Sequence, residues 1–438
     1  MVEHPDLDQQ QLTIETLGPC RGHSPLRMST SAGDGIGSYV PDDMRVLYEP
    51  RFRQGEPLST LAFERAGARE KIFFDPAETK AAIVTCGGLC PGINNLIRSL
   101  VLELTFNYGV REVQGIRFGL QGLNPELARP PVQLTPAWVE GIHHQGGTVL
   151  GTSRGKQSPT VTVDFLATAG INLLFCVGGD GTQRAAHQIA EEIGRRKLPI
   201  GVIGIPKTID NDIKFCFRTF GYYTAVAEAE KVIDRAHVEA KCVPNGVGLV
   251  KLMGREAGFI AAGATLASGE ANFALIPEVP IQLAGENGFL AKLRRRLEAR
   301  EHAVVVVAEG AGQELLAERT DACDASGNPR LGDIGLFLKQ QIEESFAADQ
   351  VPVNVKYFDP SYHIRSVPAT AADSLLCERF ARNAVHAGMA GKTDMLVGLW
   401  HNHLIHVPLA VSTGARKHLS PEGELWISVL ALTGQDKL

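Results

Sequence analysis

Two short segments combine residue types suited to chemistry: Val177-Gly-Gly-Asp-Gly-Thr182 and Pro206-Lys-Thr-Ile-Asp-Asn-Asp212. A glycine turn without side chains lets backbone N–H groups approach phosphate oxygens, and a neighbouring carboxylate can hold the Mg²⁺ that bridges those oxygens. The second segment sets Thr208 beside two carboxylates, Asp210 and Asp212. An aspartate so placed can take the proton of an attacking alcohol. The combination points to phosphoryl transfer.

Each segment follows an apolar run of strand length, 171–177 and 200–205. Each is therefore expected at the carboxyl end of a buried strand, where α/β proteins bind ligands. A third turn of this kind, Cys86-Gly-Gly-Leu-Cys-Pro-Gly-Ile-Asn-Asn95, follows a strand over 81–85 and opens a helix from 94. The spacing predicts a helix over 182–196, capped by Thr182, with 185, 186, 189, 190 and 193 as its buried stripe. Further strands are expected over 246–251, 273–276, 303–308 and 395–398. Strands alternating with helices imply parallel pairing and right-handed crossovers. Residues 1–78 hold too few apolar side chains for a core of their own and read as an amino-terminal extension draped on a domain. Residues 320–330 read as a surface loop.

The chain has 438 residues, 44% hydrophobic and 21% charged, which implies a packed protein of two or three domains. A net charge of −6 argues against nucleic acid as a main partner. The amino terminus lacks a basic segment followed by an apolar one, and no stretch reaches membrane-spanning length; no membrane partner and a cytoplasmic location are expected. Eight cysteines (20, 86, 90, 176, 216, 242, 323, 377) form no CxxC pair, and several lie in apolar runs, as buried reduced thiols do.

Taken singly, each motif has an ordinary structural explanation. Glycine pairs open many helices, the Gly-Gly-Asp-Gly-Thr turn also occurs in NAD kinases and lipid kinases, and a lone Asp-Asn-Asp is most often a solvated turn or cap. Met253-Gly254-Arg255, Glu309, Lys356, Tyr362 and Arg365 are individually unremarkable. Neither glycine turn is GxGxxG or GxxxxGK[ST], which disfavours a nicotinamide Rossmann site and a P-loop.

Taken in order, Thr85-Cys-Gly-Gly-Leu-Cys-Pro-Gly-Ile-Asn-Asn, Gly147-Thr-Val-Leu-Gly-Thr-Ser-Arg-Gly, Gly178-Gly-Asp-Gly-Thr, Pro206-Lys-Thr-Ile-Asp-Asn-Asp, Met253-Gly-Arg and Tyr362-His-Ile-Arg resemble the 6-phosphofructokinase family from about residue 80 to about 411. Its longer-chain branch is also resembled at Tyr39-Val-Pro-Asp-Asp and Phe63-Glu-Arg-Ala-Gly. The resemblance implies ATP at Gly87, Arg154, Gly155, Gly179, Gly181 and Thr182, with Mg²⁺ on Asp180. It implies Asp210 as the base toward the sugar 1-hydroxyl, with Arg154 and Lys207 neutralising charge on the transferring group. Fructose 6-phosphate would lie against Thr208, Ile209, Asp210, Met253, Gly254, Arg255, Glu309, Tyr362, His363, Ile364 and Arg365, with Lys356 a phosphate-binding basic position.

Three residues depart from the short bacterial members of that family. Leu89 replaces an aspartate, Lys207 a glycine, and Gly246 an arginine that reaches the neighbouring subunit's sugar phosphate. Gly181 and Lys207 bear on the donor. Pyrophosphate users carry aspartate at 181, where its charge repels the α-phosphate of ATP, and share the lysine at 207. Long-chain ATP users combine this glycine with this lysine, so ATP is the expected donor and pyrophosphate the alternative. An NAD or lipid kinase leaves Thr-Ile-Asp-Asn-Asp and Met-Gly-Arg unexplained. A non-catalytic relative would have lost Asp180 or Asp210, and both are present.

The implied architecture is α/β: two similar three-layer lobes with mostly parallel sheets and the active site in the cleft between them. The expected ATP-binding lobe is 79–221 with 364–412, and the sugar-phosphate lobe 222–363 with 413–438. A homo-oligomer follows from the resemblance, a tetramer before a dimer.

Overall fold

The computed structural model of the chain describes residues 7–31, 33–55, 59–316 and 329–435. The chain divides into two compact units. The first comprises the described residues through Thr208, with Ile213–Phe220 and Pro368–Arg416; the second comprises Ile209–Asp212, Gly221–Val367 and the residues from Lys417. The segment that reads as a catalytic turn is thus shared, Thr208 with one unit and Asp210 with the other.

Five strands form the centre of the first unit's sheet, in the order Glu112–Ile116, Lys80–Thr85, Leu173–Gly178, Gly201–Pro206, Met395–Trp400, all parallel. The middle strands read as continuous aliphatic runs because helices cover the sheet, leaving no solvated face to demand alternation. Antiparallel strands complete the edges. Val132–Gln133 closes one side; His403–Pro408, Ala62–Arg65 and Arg45–Leu47 extend the other to nine strands.

The second unit is built on four parallel strands, in the order Phe273–Leu275, His302–Ala308, Gly246–Leu252, Asn354–Phe358. Val247, Leu249, Val305, Phe289, Leu293, Leu338 and Ile342 form its core. The two units therefore share a parallel α/β centre and differ in edge strands.

Expected strands begin and end within about two residues of those observed. Two local expectations fail: Ala185, expected in the buried stripe, is only half-buried, and Thr182 does not cap its helix. The helix is Asp180–Arg195 and its N-cap is Gly179, held extended at φ −78° and ψ −170°. The reason is steric. Gly178 has no side chain, so Thr182 packs directly over it, and a Cβ at 178 would overlap the threonine hydroxyl. Of the loop expected at 320–330, residues 320–328 lie outside the described residues, as does Cys323. Five of the seven described cysteines are buried thiols; burial pushes the pKa of Cys86 up to about 11. Among the described residues, no helix is long and apolar enough to cross a membrane.

The residues before 79 are more than a drape. Glu15–Thr16 pairs with Lys392–Thr393, and Ala62–Arg65 with the edge strand His403–Pro408. Across that pairing, buried Glu64 accepts from Arg69 at 3.0 Å and lies 3.0 Å from Lys392 Nζ and 2.9 Å from His406 Nδ1. The carboxylate of a segment with no core is thereby fastened to a strand near the chain's other end.

Two buried histidines make the fold sensitive to acid. His386, whose Nδ1 lies 2.9 Å from the Tyr108 hydroxyl, has its pKa pushed down to about 3 by burial first and by the Arg382 and Arg69 charges second. Burial also lowers His406, against the opposing pull of Glu64. Unfolded histidine titrates near 6.5, so the unfolded chain takes up protons that the fold refuses. This stability is complete above about pH 6.5 and is lost as pH falls from there toward 3, at up to ~1.4 kcal/mol per pH unit per histidine. Unfolding free energies from urea melts between pH 7.5 and 5.5 should show His386→Gln with a mean slope shallower than wild type by about half a proton. Equal slopes would refute a neutral His386.

Candidate active site

The residues expected to meet the donor are organised by backbone contact. Past the strand Lys80–Thr85, Cys86 N donates to Val177 O at 2.9 Å and Gly87 N to Ser153 O at 3.1 Å, while Thr152 Oγ1 donates to Gly87 O at 2.7 Å. Gly87 has φ +82° and Gly155 φ +104°, left-handed values that suit glycine. The 86–89 turn is thus stapled both to the loop bearing exposed Arg154 and Gly155 and to the strand that ends at Gly178.

Lys207 closes this group. It is buried, donates Nζ to Gly88 O at 2.5 Å, and donates its backbone N to Gly178 O at 3.0 Å. A Cβ at Gly87 would stand 3.5 Å from Nζ, and one at Gly179 3.5 Å from Lys207 O. Asp180 occupies the first helical position, where the helix dipole favours a carboxylate, and pairs with Arg184 at 2.7 Å. Gly181, the residue expected to select the donor, has open space beside it: no heavy atom lies within 4 Å of where its Cβ would be.

Gln183 escaped the sequence reading. It is buried, and its Nε2 donates to Gly178 O at 2.9 Å and Ile205 O at 3.1 Å, tying together the ends of the two strands that lead into the chemical motifs. Gly204 makes room for it, since a Cβ there would overlap Gln183 Oε1. A glutamine in an amphipathic helix carries no sign of this role in sequence.

In the turn between the units' segments, Asp210 is half-buried and Asn211 buried with φ +56°. Asp212 is buried, its carbonyl accepting from Lys417 N at 2.9 Å. Thr208 O accepts from Thr219 Oγ1 at 2.7 Å.

In the second unit, two strand ends meet backbone to backbone. Glu309 N donates to Leu252 O at 2.8 Å and Gly310 N to Gly254 O at 3.1 Å. A Cβ at 310 would overlap Arg255 O, and Gly254 holds φ +132°. Burial raises the pKa of Glu309, while the charges of Arg255, Lys251 and Arg365, in that order, pull it back toward ionisation. The structure thereby gathers Arg255, Glu309 and Arg365 from three distant stretches of chain. Arg365 lies 4.9 Å from the ring centroid of Tyr362, which is 72% exposed; His363 is exposed as well. Lys356 is half-buried on the strand Asn354–Phe358. Ile364 is fully buried, so its side chain serves as an anchor and only its backbone is available to a ligand.

Lys251 also escaped the sequence reading. Its Nζ lies 2.9 Å from both Asp333 and Asp359, and these hydrogen bonds raise its pKa although burial opposes them. Asp333 caps the helix Ile334–Ala348 and accepts from Tyr357 Oη at 3.0 Å; Asp359 accepts from Ser361 N at 3.1 Å, at the start of the loop that carries Tyr362 and Arg365. An alternating strand position gave no hint of this. Gly246, where an arginine stands in short relatives, begins a buried strand, and a Cβ there would overlap Ala240 O, so this backbone admits no side chain at all.

Among the described residues, no cluster of three or more His, Cys, Asp or Glu is arranged to hold a metal by itself. A single carboxylate beside a glycine turn suits Mg²⁺, which keeps water and substrate phosphates as its other ligands.

The model of the phosphofructokinase family matches residues 80–388. The chain is 46% identical over 430 residues to a protein of Borreliella burgdorferi named ATP-dependent 6-phosphofructokinase, covering 96% of each. It is also 46% identical over 440 residues to one of the same name from Amycolatopsis methanolica, covering 98% of this chain and 96% of that one. A crystal structure of a pyrophosphate-dependent phosphofructokinase from Marinobacter aquaeolei superposes with a TM-score of 0.67 at 20% identity, over 82% of this chain and 92% of that one, a likeness of fold. With the ordered motifs held at strand ends and relatedness along nearly its whole length, the chain belongs to the phosphofructokinase family.

Proposed function

We propose that the protein transfers the γ-phosphate of ATP to the 1-hydroxyl of fructose 6-phosphate, giving ADP and fructose 1,6-bisphosphate. The observation that carries ATP over pyrophosphate is Gly181, with open space where a side chain would stand. The names of the relatives at 46% identity support the same donor.

In this reading Asp210 accepts the 1-hydroxyl proton as that oxygen bonds to the γ-phosphorus, and the bond from the γ-phosphorus to the bridging oxygen of ADP breaks. Mg²⁺ on Asp180 would supply charge neutralisation on the phosphate oxygens. The glycine turns at 87 and 179, with Gly155 and Thr182, offer the nucleotide phosphates backbone at close range. Arg154 neutralises charge on the transferring group, and Lys207 does so from its seat between Gly88 and Gly178. Thr208, Ile209, Met253 and Gly254 line the sugar. Arg255, Arg365 and Lys356 hold its 6-phosphate with Tyr362 and His363, and Glu309 accepts from its hydroxyls. The lobes are assigned as the ATP-binding and sugar-phosphate halves, and the enzyme works in the cytoplasm as a homo-oligomer, a tetramer before a dimer.

Asp210→Asn should lower kcat by roughly 10²–10⁴ while leaving fructose 6-phosphate binding nearly intact, because a base acts mainly in the transition state. A kcat within a few-fold of wild type would exclude this base. A donor panel with fructose 6-phosphate and Mg²⁺ should give turnover with ATP and little with pyrophosphate. Gly181→Asp should abolish ATP use, since it sets a carboxylate against the α-phosphate. Comparable activity of the wild type with both donors would overturn the assignment. Lys251→Met should raise KM for fructose 6-phosphate by about ten- to a hundredfold, the effect of a disordered charge-assisted phosphate contact, and leave KM for ATP unchanged. An equal change in both constants removes Lys251 from this role.

A further inference from the structure

We infer that the amino-terminal segment is a positioning device for the turn that carries Asp210, acting through Tyr48 and Phe63; the inference rests on Asp210 being the base. The turn is a loop with a tied neck. Lys207 forms a β-bridge with Phe220, and Thr219 Oγ1 donates to Thr208 O at 2.7 Å, so residues 208–219 leave and return at one place. What sets the path of the returning limb is Phe215, three residues past Asp212.

Phe215 is buried with φ +58°, a left-handed conformation that a bulky side chain adopts only where its surroundings impose it. Those surroundings are a box of rings. Phe63 lies 5.4 Å from the Phe215 ring, Tyr48 6.2 Å and Trp400 6.2 Å. The box is itself braced: Tyr48 stacks on Trp400 at 5.4 Å, and Trp400 Nε1 donates to Tyr48 O at 2.8 Å. The backbone follows, with Phe217 N donating to Leu399 O at 2.7 Å and Gly398 leaving space, since a Cβ there would stand 2.7 Å from Phe215 O.

Tyr48, Phe63 and Trp400 all fall outside residues 80–388, the part matched by the family model. Segments outside that part thus supply the walls that keep Phe215 in its unfavourable backbone conformation. With the walls loosened, Phe215 relaxes toward negative φ and the limb that follows Asp212 shifts. A misplaced base lowers kcat and leaves substrate affinities nearly unchanged.

The test uses the full chain. Tyr48→Ala should lower kcat about 10- to 100-fold, hold both KM values within about twofold, and speed amide exchange in residues 208–220. Tyr48→Phe should restore kcat and protection, because the box requires a ring. Ile72→Ala, at a buried position in a separate two-stranded sheet of the amino-terminal segment, should lower the thermal midpoint with wild-type kcat per folded molecule. Wild-type kcat and exchange in Tyr48→Ala, or an equal loss of kcat in Ile72→Ala, would overturn the inference. Turnover surviving in Asp210→Asn would instead overturn the base assignment, while the exchange comparison still reports on the box.

Discussion

The arrangement of the candidate site depends on backbone approaching backbone along and beyond the parallel strands. Parallel pairing delivers strand ends side by side, and their turns stay together only where side chains are missing. Gly178 admits Thr182, Gly204 admits Gln183, and Gly310 admits the Arg255 carbonyl; a Cβ at any of the three would overlap its neighbour. Removing side chains here lets these elements pack at backbone distance.

Charge is arranged around those ends with different partners in the two units. Lys207 is buried and donates its ammonium to the carbonyl of Gly88 and its backbone N–H to that of Gly178, so its charge is fixed between two glycine turns. Lys251 is paired with Asp333 and Asp359, and so ties a helix cap to the loop that carries Tyr362 and Arg365. Buried pairs of this kind are weak sources of net stability but strong determinants of geometry, because losing one partner strands the other. Glu309 shows the balance most directly: burial raises its pKa, and the charges of Arg255, Lys251 and Arg365 pull it back down.

The amino-terminal residues illustrate how a segment without a core becomes part of one. Ala62–Arg65 adds to an exposed sheet edge, which covers unpaired N–H and C=O groups. Glu64, Arg69, Lys392 and His406 then lock that addition through a charge network that Asp42 joins from the surface, two carboxylates facing two fixed cations, consistent with a histidine kept neutral.

The strands, the helices that follow them and the order of the motifs were legible in the sequence. Aliphatic runs mark buried parallel strands, and glycine-rich turns after them mark where a ligand can approach. Asp180, Asp210, Arg255 and Arg365 were legible as a set because each stands at such a turn or in a motif of the same ordered series. Gln183, Lys251 and Phe215 were not. Their roles arise from partners far away in the chain: the carbonyl of Ile205, the carboxylates of Asp333 and Asp359, and rings contributed by residues 48, 63 and 400. The helix cap was misplaced for a related reason, since Thr182 is a sound cap by type and only its packing over Gly178 moves the helix start to Asp180. Local periodicity records which face of an element is buried; which polar atom meets which across the fold is decided by tertiary packing alone.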